Sequence, residues 1–70
     1  YTHSEPAMIT SREREVLKFL AKGLSTKEIG TELTISSHTV ESHRKNLLTK
    51  FDAKNVAELI MKASKMFWFD

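Results

Sequence analysis

A chain of 70 residues allows one small domain, and a domain of that size buries only about 60% of its unfolded surface, so its core is thin. It has no cysteine, which removes disulfides and thiolate metal sites and suits a reducing, cytoplasmic setting. Eleven Lys and Arg against nine Asp and Glu leave a net charge of +2, a slight lean towards polyanions, while no apolar run is long enough to span a membrane and no signal-peptide pattern appears.

Residues 1–7 hold Pro6 among small and polar side chains without periodicity, and read as a linker tail ahead of a domain over 8–70. Such a tail implies a chain cut from something longer. Thr10-Ser11-Arg12-Glu13 has the spacing of a capping box, with Thr10 as N-cap and Glu13 reaching back to it. A first helix is predicted from there to about Lys22, with Val16, Leu17 and Leu20 inward and Phe19 at the edge. Gly23 then stops it by taking the left-handed conformation at little cost. Ser25-Thr26-Lys27-Glu28 is a second capping box, opening a helix that turns Ile29 and Leu33 inward. Gly30 inside that helix costs about 1 kcal/mol against alanine, and close approach by the following helix is the reason expected for it.

Thr34, Ile35 and Ser36 make a tight connection, and a third helix, capped by Ser36, is predicted to about Phe51. At 100° per residue Val40, His43, Leu47 and Phe51 share one face, with Arg44 at its margin. The opposite face carries His38, Glu41, Ser42, Lys45 and Thr49. Asp52 and Ala53 break the chain again, and Asn55-Val56-Ala57-Glu58 looks like a third cap with its box. The last helix is predicted through Lys65 or slightly beyond. Val56, Leu59, Ile60, Ala63 and Phe67 form its core stripe, and Ala57, Met61, Ser64 and Trp68 form a second stripe about 100° round. One amphipathic helix needs a single apolar face, so the second stripe is expected to meet another subunit, or Trp68 to cap the end of the core. With only two glycines and one proline in the chain, the fold class predicted is all-α, a compact four-helix bundle containing a helix-turn-helix.

Two features bear on function. Between Ser36 and Lys50 stand Arg44, Lys45 and Lys50 against a single acid, Glu41. Three of the four caps are followed three residues later by glutamate, but Ser36 is followed by Thr39, which leaves the positive end of the third helix open to an external anion. Other chemistry finds no support in the pattern. His38 and His43 lie about 140° apart on one helix, so with His3 they make no metal site. Glu41, Ser42 and His43 are adjacent and point different ways, unlike a catalytic triad. No cofactor and no enzymatic activity is expected.

Ile9-Thr10-Ser11-Arg12-Glu13-Arg14-Glu15-Val16-Leu17, Ala21-Lys22-Gly23-Leu24-Ser25-Thr26-Lys27-Glu28-Ile29 and Ile35-Ser36-Ser37-His38-Thr39-Val40, in that order and spacing, resemble the LuxR-type helix-turn-helix. That is the DNA-binding output domain of NarL/FixJ-class bacterial response regulators and related activators, and the resemblance covers Met8 to about Ala63. It implies base-facing roles for Glu41, Ser42 and Lys45, phosphate contacts for Thr26, Lys27 and Thr39, and a partly buried His43. It implies a basic position near the helix end at Lys50, and a fourth helix that often makes the dimer contact. The chain departs from the family at Glu41, where lysine or arginine is frequent, and at Gly30, where alanine is common.

The function expected is therefore sequence-specific binding of double-stranded DNA by the output domain of a bacterial transcription regulator in a two-component system. It would bind paired half-sites as a dimer, with the third helix in the major groove. Lys45 points into the groove, one turn after Glu41, which is placed to pair with it or to accept from a cytosine amino group; His38 reaches a base or a phosphate, and Arg44 either meets phosphate or snorkels beside the core. Phosphate contact is also expected of Lys50. The missing partner in the chain is a receiver or sensor domain, and RNA polymerase is a further possible partner. The rival is a protein-interaction module of the same shape that grips RNA polymerase and has lost DNA binding. Such a module has no need of Lys27 and Lys45, and both are present.

Overall fold

The computed structural model describes residues 9–65. Four helices follow one another: α1 (Ser11–Ala21), α2 (Thr26–Leu33), α3 (Ser37–Lys50) and α4 (Val56–Lys65). Helix boundaries agree with the caps read from the sequence. Thr10 Oγ1 accepts from the Glu13 N–H at 3.1 Å, and the Glu13 carboxylate accepts from the Thr10 N–H at 3.1 Å. Ser25 and Glu28 form the same reciprocal pair at 3.1 and 2.8 Å. Ser36 Oγ accepts from the Thr39 N–H at 3.1 Å, with no acid in the first turn of α3. The third box differs from expectation: Asn55 Oδ1 accepts from the Glu58 N–H at 2.8 Å, but the Glu58 carboxylate takes the Lys54 N–H at 2.6 Å rather than that of the cap itself.

Helices α1, α2 and α3 end in one way, with the chain in the left-handed region and two N–H groups turned back onto the last carbonyls. At Gly23, with φ 92°, the arrangement is unstrained. At Thr34 (φ 59°) and Asp52 (φ 54°) it is not, because a side chain there crowds its own backbone. Thr34 lies in the turn between α2 and α3, where the Ile35 N–H donates to the Gly30 carbonyl at 2.9 Å. Gly30 is required by that turn. A Cβ at this position would lie 2.7 Å from the Ile35 carbonyl oxygen and 3.3 Å from the Ser37 nitrogen, both backbone atoms. The turn into α3 therefore comes closer to α2 than an alanine permits.

Val16, Leu17 and Leu20 of α1, Ile29 of α2, Val40 and Leu47 of α3, Phe51, and Leu59 and Ala63 of α4 form the core. Leu33, Phe19, Leu24 and Val56 are half-buried against it. Helix α4 packs on α1 and α3, as its first stripe predicts. Of that stripe Ile60 is only half-buried, and Phe67 lies outside the described residues. Lys62 ties α4 to the end of α3 in a second way. Its ammonium donates to the Asp52 carbonyl at 2.6 Å and to that of Phe51 at 3.3 Å, placing a cation at the negative end of the helix dipole.

Candidate nucleic-acid interface

The interface begins with the division of α3 into two faces. Val40 and Leu47 are fully buried and Phe51 nearly so, which anchors one side. His38, Ser42, Lys45 and Thr49 are exposed on the other. The face is polar and carries no large apolar side chain to compete with a ligand. Ser42 Oγ makes only a long contact, 3.4 Å, to the His38 carbonyl, so its hydroxyl is available. Beside it, at the start of α2, Lys27 is exposed and Thr26 half-buried. The exposed Thr39 hydroxyl shares a 2.9 Å hydrogen bond with Ser36 in the first turn of α3.

The two flanks of α3 are braced by ion pairs, and here the structure departs from the sequence reading. Glu41 pairs with Arg44, not with Lys45: its Oε1 accepts from Arg44 Nε at 3.1 Å and from Nη2 at 2.7 Å. The hydrogen bond from Arg44 holds the Glu41 carboxyl below its ordinary range against some desolvation; the Arg44 charge, the Thr26 hydroxyl and the Lys45 charge add to it. Glu41 and Arg44 thus form one pair on α3, with Thr26 of α2 near enough to act on the carboxyl. Arg44 is neither a simple snorkelling side chain nor unpaired.

On the other flank Lys50 Nζ donates to Glu13 Oε1 at 2.7 Å. That carboxylate is 5% exposed, and it is the same group that completes the capping box of α1. Burial raises the Glu13 pKa, but the Lys50 hydrogen bond, the Thr10 N–H and the charges of Lys50 and His43 together outweigh it and hold the carboxyl below its usual value. The sequence reading took Lys50 as a phosphate contact and left Glu13 out of the site. Glu13 stands at i, i+3, i+4 and i+7 with Val16, Leu17 and Leu20, so a glutamate on the buried stripe was the signal of an internal cation. After these pairings Lys27 and Lys45 are, of the lysines and arginines of α2 and α3, the two that no carboxylate holds in an ion pair among the described residues.

On α4 the stripe of Ala57, Met61 and Ser64 is exposed, with Met61 at 53%. Trp68, its expected fourth member, lies outside the described residues, as does His3. No group of side chains suited to a metal ion occurs among the described residues.

The sequence pattern of "Bacterial regulatory proteins, luxR family" matches residues 7–63, most of the chain and all but the last two residues of its fourth helix. The chain belongs to the luxR family. Among its relatives, the transcriptional regulatory protein DesR of Bacillus subtilis is 42% identical over 67 residues, 96% of this chain and 34% of DesR. The chain thus spans about a third of that relative. The solved structure of the transcription factor GerE superimposes with a TM-score of 0.83 at 31% identity, covering 89% of this chain and 92% of GerE. VqmA of Vibrio cholerae, solved as a complex with ligand and DNA, has a TM-score of 0.82 at 34% identity, over 87% of this chain and 27% of VqmA; another VqmA structure is described as a dimer. The four helices are accordingly the LuxR-type helix-turn-helix DNA-binding domain of transcriptional regulators.

Proposed function

We propose that this domain binds double-stranded DNA sequence-specifically, with α3 in the major groove and the start of α2 on the sugar-phosphate backbone. The observation that carries the reading is the exposed polar face of α3, seated on a fully buried Val40 and Leu47. Lys45, Ser42, His38 and Glu41 turn towards base edges, and the amine of Lys45 suits the acceptors of guanine. Thr26, Lys27, Thr39 and Arg44 serve the phosphates. Lys50 contributes charge there while it remains bonded to Glu13. Two copies meet through Ala57, Met61, Ser64 and Trp68 and occupy paired half-sites. An apolar, exposed Met61 beside two small residues favours that contact. The surface is small, so pairing depends on DNA or on the regulatory domain. That domain is a phospho-receiver, as in a cytoplasmic two-component response regulator, and the role of the whole is binding rather than catalysis.

Fluorescence anisotropy with a labelled 20-base-pair duplex at low salt tests the reading. Saturable binding that weakens steeply as salt rises is expected. A flat titration at low salt would replace it with the rival, a protein-interaction module that grips RNA polymerase.

A further inference from the structure

The carboxylate of Glu41 is out of place on a phosphate-facing surface. A partly exposed pair with Arg44 adds little to stability, and near DNA a bare carboxylate is repelled. Its position is nevertheless specific. It holds the Arg44 guanidinium through one oxygen, at 3.1 and 2.7 Å. That guanidinium is one of the groups proposed above to grip a phosphate. The carboxylate therefore occupies, in the free domain, donors that a phosphate oxygen needs.

Resting on the DNA-binding reading above, we propose that Glu41 is an internal competitor of the DNA backbone. It withholds Arg44 until a base edge in the groove takes its carboxylate instead. On a sequence with no amino group in reach, the carboxylate stays on Arg44, and that phosphate contact is not made. On a sequence that offers a cytosine N4 or adenine N6 donor there, the carboxylate changes partner, and the guanidinium turns to the phosphate. Backbone affinity is thereby tied to base identity by exchange of one acceptor. Discrimination of this kind works as much by weakening binding to wrong sequences as by strengthening it to right ones.

The test uses the domain, with Glu41→Ala and Glu41→Gln, on a duplex selected for tight binding and on one of equal length lacking that site, across a salt series. On the duplex lacking the site, Glu41→Ala is expected to bind several-fold tighter and to steepen the log–log salt slope by about 0.9, the value of one further cation on phosphate. Preference for the selected site falls by roughly tenfold. In an Arg44→Ala background the gain disappears, because no cation is released. Glu41→Gln, which keeps the shape and lacks the charge, moves in the same direction as alanine, and thermal melts confirm that each variant is folded. Equal weakening on both duplexes with unchanged slope would overturn the proposal in favour of a purely structural pair. Equal tightening on both, with preference intact, would overturn it in favour of simple repulsion. Absence of binding by the wild type to either duplex would sink the DNA-binding reading itself, and this proposal with it.

Discussion

Replacing Glu13 with glutamine removes one charge from the interior and little else. The carboxylate is 5% exposed and its Oε1 serves both the Thr10 N–H and the Lys50 ammonium. An amide oxygen can accept from both, so shape and cap survive. What goes is the charge assistance, the difference between hydrogen bonds worth about 1.5–3 and about 0.5–1.5 kcal/mol. The expected loss is about 1–2 kcal/mol, or on the order of 4–16 °C in Tm for a chain of this size. The pH dependence carries a sign. Because the folded carboxyl titrates below its ordinary 4.5, its stabilisation is complete above the unfolded pKa and is lost as pH falls through the folded one. Urea unfolding followed by circular dichroism should show Glu13→Gln weaker than wild type at pH 7, with the two curves converging as acidification passes below the ordinary 4.5 and through the lower folded value. In a cycle with Lys50→Met, the two substitutions should cost less together than the sum of each alone. A deficit of the same size at every pH, or additive costs, would refute the assignment of an internal ion pair.

Three further outcomes are expected. Lys27→Ala should weaken binding almost equally on every duplex and reduce the salt slope by about 0.9, since phosphate contacts are blind to sequence; titrations on two unrelated duplexes check it. Met61→Asp should leave the melting curve unchanged, as the side chain is 53% exposed, while abolishing cooperative occupancy of two half-sites in a mobility shift. Thr34→Gly should raise Tm, because it removes a β-branched side chain from φ 59°, a strain of about 1–2 kcal/mol partly offset by the freedom of glycine in the unfolded chain.

Caps and periodicity in the sequence were enough to locate all four helices, because each cap binds an N–H only three residues away and owes nothing to the rest of the fold. Gly30 was legible too: a glycine at that cost implied a close approach, and the Ile35 carbonyl makes it. Charge was read less well. The count over one stretch set Arg44, Lys45 and Lys50 against Glu41 alone, but Glu13 arrives from 37 positions away to hold Lys50. Spacing along the helix favoured Lys45 as the partner of Glu41, yet Arg44 took it through two nitrogens. The Lys50 pairing does not follow from local sequence, since it depends on how α3 lies against α1, whereas local spacing allowed Glu41 an i, i+3 partner as readily as an i, i+4 one. The left-handed conformations at Thr34 and Asp52 were likewise hidden, because no glycine marks them.

Selection of bound duplexes from a random pool, by wild type and by Lys45→Ala in parallel, tests most directly whether the exposed face of α3 reads base sequence. Wild type should enrich a short motif in two copies, with guanine favoured at one position of each half. Lys45→Ala should still bind but lose its preference at that position, a discrimination of about 1–3 kcal/mol. A pool bound by the wild type without enrichment, or the same motif recovered from both proteins, would contradict it.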